Sequence, residues 1–140
     1  MLTKWLPETP NTLPNYTTHF VGVGGFVVRE NNGKKEVLVV KEKSGPATTI
    51  WKVPGGMSDP GEDIATVAVR EVLEETGIQT EFVNVLGFRQ HHRASFGQSD
   101  LYFICYLKPL TFDVRPQESE IADAKWMEVR IFLQTDIQTI

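Results

Sequence analysis

Residues 56–78 read GMSDPGEDIATVAVREVLEETGI, a glycine-rich loop followed by a segment with the period of an amphipathic helix. From residue 64 onward, apolar residues recur at steps of three and four, which predicts one buried helix face. These residues are Ile64, Val67, Ala68, Val72 and Leu73. Gly77 stands where the helix should end, at the usual place for a left-handed cap.

Three glutamates, Glu71, Glu74 and Glu75, lie at i, i+3 and i+4 and therefore share about one turn of this helix. Like charges at this spacing repel each other, so the cluster favours a bound cation. Carboxylate oxygens suit hard divalent cations, Mg²⁺ or Mn²⁺, and no cysteine stands nearby to favour zinc. The alternative is a solvated acidic helix face, which is common in proteins.

The stretch resembles the Nudix box, G-x5-E-x7-R-E-U-x-E-E-x-G-U, in which U is an aliphatic residue. Every defined position is filled, by Gly56, Glu62, Arg70, Glu71, Val72, Glu74, Glu75, Gly77 and Ile78. A match of nine positions with every gap correct is far more specific than a lone glycine motif. The resemblance to Nudix hydrolases implies that Glu74 and Glu75 bind the metal. It also implies that Glu71 is a ligand or orients the base, and that the Gly55 carbonyl is a further ligand.

The remaining box residues are predicted to support this site. Gly56 lets a ligand approach the main chain. Glu62 is placed to pair with Arg70, two turns further on, if the loop folds back. Such a pair would hold the loop against the helix, so Glu62 and Arg70 are interpreted as structural, together with the cap at Gly77.

A chain of 140 residues with 41% hydrophobic residues is long enough for one globular domain with its own core. Its net charge of −4 argues against a nucleic-acid or membrane-surface binder, because few basic residues are available to neutralise phosphates. A small phosphorylated substrate stays compatible, since a bound metal reverses the local charge. The sequence contains no apolar run near 18 residues.

The single cysteine, Cys105, lies within the apolar run LYFICYL and is predicted to be buried. One cysteine cannot form an internal disulfide, so we expect a reducing compartment, with the cytoplasm as the default location.

The rest of the chain predicts a mixed-sheet α/β domain at residues 19–140, after an irregular lead-in at residues 1–18 held down by Trp5 and Leu6. Strands are predicted at residues 19–29, 35–43, 50–53, 80–91, 100–108 and 125–129, with loops at 44–49 and 94–99. Asn31-Asn32-Gly33 predicts a hairpin turn. Glycines in the first strand predict a bulge or a close approach to the backbone.

The family resemblance implies an α/β/α sandwich with a second helix after Trp126. Few residues remain there, so the end of that helix is expected to be missing from the chain. The family also often supplies a further carboxylate shortly before such a tryptophan. Glu120 is the first candidate and Glu118 the second, although a loop acid can simply be solvated.

The segment FRQHHRASFGQSDLYFIC, residues 88–105, resembles a subgroup of the family. That subgroup includes plant Nudix hydrolases of ADP-ribose and NADH, and the animal Nudix protein encoded antisense to basic fibroblast growth factor. Side chains that could bind phosphate are Arg89, His92 and Arg93, and those that could stack on adenine are Phe88, Phe96 and Tyr102. The alternative for each aromatic is a place in the core, and for each polar residue simple solvation.

The resemblance therefore implies Mg²⁺-dependent or Mn²⁺-dependent hydrolysis of a nucleoside diphosphate linked to another moiety, with ADP-ribose or NADH as the leading substrate. Glu71 or Glu120 would act as the base. Two alternatives remain: a catalytically idle nucleotide-binding or regulatory module, and a triphosphatase that clears modified nucleotides. The expected partner is a small nucleotide, with a homodimer as a further expectation.

Overall fold

The computed structural model describes residues 4–13, 17–95 and 97–135, with the backbone alone at residues 93–95. It contains six strands and two helices in this part of the chain. The strands are β1 (His19–Asn31), β2 (Lys34–Glu42), β3 (Gly55–Met57), β4 (Thr80–Ser95), β5 (Gln98–Pro109) and β6 (Ile121–Glu128). The helices are α1 (Ile64–Thr76) and α2 (Val129–Gln134).

The strands form one sheet in the order β4-β5-β1-β2-β6, and β3 pairs with β1 outside this order. β1 runs parallel to β5 and antiparallel to β2 and β3. The remaining pairs, β2 with β6 and β4 with β5, are antiparallel. The mixed sheet confirms the predicted α/β class.

The two helices cover opposite faces of the sheet, as the alternation of side chains along β2 shows. Leu38 packs in a cluster that contains Val67 and Val72 of α1. Its neighbours Val37 and Val39 pack in a second cluster, which contains Phe132 of α2. Because successive strand residues point to opposite faces, the sheet lies between α1 and α2, as an α/β/α sandwich requires.

The hairpin turn between β1 and β2 is the one predicted. Asn32 and Gly33 both have positive φ angles, 51° and 78°, and Asn31 pairs with Lys34 across the turn. Two consecutive positive φ angles match the twist of antiparallel strands, which explains the Asn-Gly sequence at this turn.

The prediction of a strand at residues 50–53 is wrong. Lys52 makes only an isolated bridge to Val40, and the strand lies instead at β3, within the predicted glycine-rich loop. There Gly55 and Gly56 pair with Gly24 and Val23 of β1. Glycine is depleted in strands generally, so propensity favours the preceding apolar residues over the glycines.

Three other predicted boundaries also differ. β4 continues to Ser95, which pairs with Gln98 at the start of β5, so most of the loop predicted at residues 94–99 is strand, and Gly97 has a positive φ of 72°. β6 begins at Ile121 rather than residue 125. The predicted second helix is present as α2, and its expected incompleteness concerns residues 136–140, which lie outside the described residues.

The lead-in has neither helix nor strand at residues 4–13, as predicted. The prediction that Leu6 holds it down is wrong, because this side chain is 80% exposed. Trp5 donates its indole N–H to the Thr9 carbonyl and so bonds within the lead-in. Within the described part of the chain, neither helix has the length and hydropathy needed to cross a bilayer.

Candidate active site

The acidic face of α1 lies directly against the two glycines of β3. A Cβ atom on Gly56 would lie 2.6 Å from the carboxyl carbon of Glu71, and one on Gly55 would overlap the Val23 carbonyl oxygen. At Gly55 the clash is with backbone, so only glycine fits there, whereas a side chain at Gly56 would have to displace the Glu71 carboxylate. The helix ends at Gly77, which has the predicted left-handed conformation (φ 73°) and donates its N–H to the Leu73 carbonyl.

Glu75 is buried at the centre of this contact, with 5% of its surface exposed. Its carboxylate accepts a hydrogen bond from the Gly55 N–H at 3.1 Å. Its pKa is raised from 4.5 to about 8, mainly by burial and also by the nearby carboxylates of Glu71 and Glu42, although Lys52 and the Gly55 N–H act in the opposite direction. A carboxyl group held under such an electrostatic cost is a candidate functional group.

The position of Glu75 corrects the predicted buried face of α1. Leu73 was placed on that face but is 45% exposed, whereas Glu75 and Thr76 are buried. The predicted members Val67, Ala68 and Val72 are fully buried. Glu75 and Thr76 lie three and four residues after Val72, so they continue the buried face of a regular helix, and Leu73 lies beside it.

Glu71 occupies the same contact and is also partly buried. Burial raises its pKa, and repulsion from Glu74 and Glu120 adds to the increase, whereas the adjacent Arg70 guanidinium opposes it. Two box glutamates therefore have raised pKa values for the same reason, which is that they lose water and face other carboxylates.

The predicted pairing of Glu62 with Arg70 is present. Arg70 Nε donates to Glu62 Oε2 at 2.7 Å and Nη2 donates to Glu62 Oε1 at 2.9 Å, a bidentate arrangement. The hydrogen bonds from Arg70 stabilise the Glu62 carboxylate and lower its pKa. The same bonds stabilise the Arg70 guanidinium and raise its pKa. Glu62 also accepts the Asp59 N–H, so the pair holds the loop against α1.

Arg70 also contacts the acidic face itself. Its Nη1 donates to Glu71 at 2.9 Å and to Glu74 at 3.2 Å, and the Glu74 side chain stays 49% exposed. Within the described residues, no three His, Cys, Asp or Glu side chains converge closely enough to form a ready-made metal site. The three predicted ligands are thus neighbours on one helix turn, and two of them are paired with Arg70.

Glu120 lies in the same region as Glu75. Both line a cavity of about 260 Å³, together with Glu42, Ser44 and Ile121. The turn that carries Glu120 is fixed to the end of β2, because the Lys43 N–H donates to the Glu120 carbonyl and the Lys43 ammonium donates to the Glu118 carbonyl. Of the two loop candidates for a further carboxylate, Glu120 and not Glu118 is therefore the one that lines the cavity with Glu75.

Two charged residues near Glu75 were missed from the sequence. Glu42, the last residue of β2, lines the cavity and forms an ion pair with Lys52. Lys52 in turn lowers the pKa of Glu75. Neither residue belongs to a spaced motif, and they meet only because Lys52 bridges to Val40 in β2.

The chemistry of the donor set fits a hard divalent cation. Glu71 and Glu75 are carboxylates whose negative forms are destabilised by burial and by mutual repulsion, and a cation would relieve both effects. Glu120 and the main chain of Gly55 supply further oxygens nearby.

The substrate-binding candidates lie apart from the carboxylates, on the β4–β5 hairpin. The Arg89 guanidinium carbon is 5.6 Å from the centre of the Tyr102 ring, and Phe88 stacks on Phe103 with ring centres 5.4 Å apart. His92 Nδ1 is 2.9 Å from Ser99 Oγ. The candidates Arg93, through its side chain, and Phe96 lie outside the described residues.

Tyr102 connects this hairpin to the carboxylates. Its ring lies across Gly22 and Gly24 of β1, where a Cβ atom on Gly22 would lie 2.9 Å from the ring and one on Gly24 would overlap the hydroxyl. This explains the predicted close approach to the glycines of the first strand. Burial, with the charge of Glu75 as a second cause, raises the pKa of Tyr102 to about 12, so its hydroxyl keeps its proton at neutral pH.

A family model of the NUDIX domain matches residues 18–139. The chain belongs to the Nudix hydrolase family. Hydrolases of this family generally use a divalent metal ion, typically Mg²⁺, and the donor set of this Nudix domain suits such an ion.

Curated relatives support the membership. This Nudix domain is 53% identical over 129 residues to Nudix hydrolase 2 of Arabidopsis thaliana, which covers 91% of the chain and 45% of the relative. It is 50% identical over 131 residues to the nucleoside diphosphate-linked moiety X motif 6 protein of Xenopus laevis, which covers 92% of the chain and 59% of the relative. The chain thus spans about half the length of the curated relatives it matches.

Solved structures show the same fold. The NUDIX domain of Shewanella oneidensis NrtR, crystallised with ADP ribose, superposes with a TM-score of 0.75 at 17% identity, covering 89% of this chain and 82% of that one. A MutT NUDIX hydrolase from Burkholderia pseudomallei superposes with a TM-score of 0.68 at 24% identity, covering 81% and 86%. At these identities the likeness concerns the fold alone.

Proposed function

We propose that this domain hydrolyses the diphosphate bond of a nucleoside diphosphate linked to another moiety, with Mg²⁺ or Mn²⁺ as cofactor, and releases a nucleoside monophosphate. The observation that carries this proposal is the burial of Glu71 and Glu75 against the β3 glycines, beside the cavity that Glu120 lines. Two carboxyl groups with raised pKa values that face further carboxylates support a cation at this site.

Each residue of the site has a proposed role. Glu74 and Glu75 bind the metal, with the Gly55 carbonyl as a further ligand and Glu71 as a ligand or as the group that orients the base. Bound Mg²⁺ would neutralise diphosphate charge and lower the pKa of a coordinated water. Glu120 or Glu71 accepts the proton from the attacking water, and the Glu62–Arg70 pair keeps the loop on α1.

ADP-ribose and NADH are the proposed substrates. The relatives named above are called a Nudix hydrolase and a nucleoside diphosphate-linked moiety X motif protein. A domain of the same fold has been crystallised with ADP ribose, and another neighbour is a UDP-X diphosphatase. In this chain Arg89, His92, Arg93 and Phe96 are proposed to contact the substrate.

The test is a hydrolysis screen with identified products over ADP-ribose, NADH, coenzyme A, diadenosine polyphosphates and modified dNTPs, with and without Mg²⁺. We expect AMP from ADP-ribose only when metal is present. Glu75→Gln and Glu74→Gln should each lower kcat/KM on the order of 10³-fold, because several kcal/mol of charge stabilisation is lost. Glu30→Gln, an exposed glutamate at the far end of β1, is the charge-matched control.

Two outcomes would contradict the proposal. Unchanged turnover in both glutamine variants would remove the carboxylates from the mechanism. Tight ADP-ribose binding without cleavage in Mg²⁺ or Mn²⁺ would indicate an idle binding module, whereas cleavage of modified dNTPs alone would indicate a triphosphatase.

Two predictions about the whole protein also remain proposals. We propose a homodimer through β4, an edge strand of the sheet that exposes several apolar side chains, and light scattering of the purified chain tests it. We also propose a reducing compartment, the cytoplasm by default, because Cys105 is the only cysteine and is fully buried.

A further inference from the structure

A second cavity, of about 310 Å³, lies on the β4–β5 hairpin, and we call it the Gly87 cavity. Its walls are mostly hydrocarbon, with one guanidinium. They are formed by Leu86, Gly87, Phe88, Arg89, Tyr102 and Ile104. The volume is at the lower end of the range for small-molecule sites, which is about 300–1,000 Å³.

Gly87 lines the cavity without contributing a side chain to it. Gly87 pairs with Ile104 across the hairpin, after a β-bulge between Val85 and Gly87. A Cβ atom added to Gly87 would meet nothing within 4 Å, and its φ angle lies outside the left-handed region, so a side chain would enter open space without backbone strain. Neither a turn nor a close backbone contact requires glycine here.

The Gly87 cavity is connected to the carboxylates by one side chain. Tyr102 forms part of the cavity wall, and its hydroxyl lies against Gly24. Gly24 pairs with Gly55, whose N–H donates to Glu75. If the diphosphate of a substrate lies at Glu75, the Tyr102 side chain therefore lies between the diphosphate and the Gly87 cavity.

The lining favours a flat ring with apolar faces. Leu86 and Ile104 offer hydrocarbon and Tyr102 an aromatic ring, with the Arg89 guanidinium beside it. A guanidinium and a phenol ring both stack on the π-face of a heterocycle. A sugar or phosphate would leave these apolar walls without apolar partners.

We propose that the Gly87 cavity binds the nucleobase of the substrate, whose diphosphate lies at Glu75. This inference rests on the proposed function, because the diphosphate site sets the position of the rest of the substrate. It makes Gly87 the specificity-determining position, and Tyr102 the side chain shared by the base and the diphosphate.

The test is Gly87→Leu, which fills the cavity, compared with Val85→Leu. Val85 is on the same strand but pairs with Cys105 and so points to the other face of the sheet. Metal-free calorimetric titration with AMP should show affinity at least about tenfold weaker for Gly87→Leu, and within twofold of wild type for Val85→Leu. Adenosine should lose binding in parallel, whereas ribose 5-phosphate should be unaffected.

Kinetics supply a second measurement. Gly87→Leu should raise KM for ADP-ribose about tenfold with kcat nearly unchanged, because base binding contributes equally to the ground and transition states. Gly87→Ala, which fills less space, should lie between wild type and Gly87→Leu. A melting temperature equal to that of the wild type will show that each variant is folded.

The outcomes separate this inference from the proposed function. Equal AMP affinity in wild type and Gly87→Leu, or no binding of AMP and adenosine to wild type, overturns the base site even if hydrolysis is found. Weaker AMP binding in Gly87→Leu supports the base site even if no diphosphate is hydrolysed. An equal loss in Gly87→Leu and Val85→Leu also overturns it, because a general effect on the hairpin would then explain both.

Discussion

Glu75 is 5% exposed, whereas Phe88 on the β4–β5 hairpin is 67% exposed. Folded proteins usually show the opposite arrangement, because burial of charge costs free energy and burial of hydrocarbon gains it. The carboxylate site and the hairpin therefore depart from the usual arrangement in opposite directions. Each departure is what a binding surface requires: desolvated anions for a cation, and exposed apolar rings for a heterocycle.

The two regions also differ in how tightly they are packed. Gly55 has no room for a Cβ atom because the backbone of β1 lies against it, whereas Gly87 has open space around it. Backbone and carboxylates at the α1 contact are thus fixed by close packing, and the hairpin can accept a new side chain. Four substitutions or titrations can break or sharpen this contrast.

The largest effect is expected at Gly55. In Gly55→Ala the new Cβ atom would overlap the Val23 carbonyl oxygen, so β3 or β1 must move, and we expect a loss of more than about 3 kcal/mol of unfolding free energy. Gly87→Ala is the matched control and should change stability by less than about 1 kcal/mol, or increase it. Urea denaturation measures both, and similar losses would show that the packing contrast is wrong.

The next effect is expected at Arg70, which pairs with three glutamates while 28% of its side chain is exposed. Arg70→Gln should cost about 2 kcal/mol, since it leaves the partly buried Glu71 without its cation. Arg115→Gln removes an ion pair in which both side chains are about 80% exposed, and should have no measurable effect. If the two arginine variants unfold at the same denaturant concentration, the support assigned to Arg70 is absent.

The raised pKa of Glu75 predicts how stability depends on pH. The folded state holds the proton up to about pH 8, whereas the free carboxyl releases it near 4.5. The stability that Glu75 gains from holding this proton is therefore fully present below pH 4.5 and is lost as the pH rises to 8. Over this range the free energy of unfolding falls by at most about 1.4 kcal/mol per pH unit.

Thermal unfolding in metal-free buffer between pH 5 and 9 measures this slope, and Glu75→Gln should reduce it. Because a metal at the proposed site would bind the ionised carboxylate, Mg²⁺ should raise the melting temperature more at pH 8 than at pH 6. An identical pH profile for the wild type and Glu75→Gln would refute the electrostatic description of this carboxyl group.

The smallest effect is expected on the exposed edge. Val83 is 48% exposed on β4, so Val83→Thr should change unfolding free energy by less than about 0.5 kcal/mol. The same substitution at Val67, which is fully buried on α1, should cost about 1–3 kcal/mol because it buries a hydroxyl. Comparable losses at the two positions would mean that β4 is covered in solution, as a homodimer would cover it.

The comparison explains which parts of the molecule could be predicted from the sequence. The helix, its cap at Gly77 and the Glu62–Arg70 pair follow from local spacing, and the structure contains all three. The hairpin at Asn32 also follows from two adjacent residues with a known preference. Local sequence patterns are thus sufficient to predict contacts between residues that are close together in the sequence.

The parts that could not be predicted depend on contacts between distant segments. Periodicity predicts Leu73 in the core, but the side chain buried there is Glu75, which accepts the Gly55 N–H. The ion pair of Glu42 with Lys52 needs the bridge between Lys52 and Val40, which no sequence pattern indicates. The role of Gly87 is defined by an empty volume, and periodicity carries no information about volume.

The parallel pairing of β1 with β5 has a consequence for how the chain reaches this structure. His19 lies opposite Ser99, so this central contact joins two hairpins that can each form locally. We expect the hairpins to appear early in refolding and their union to limit the rate, since closing a long chain segment is entropically slow. During synthesis, β1 would therefore have one edge without a partner until β5 has left the ribosome, and this exposed edge is open to pairing with other chains in that interval.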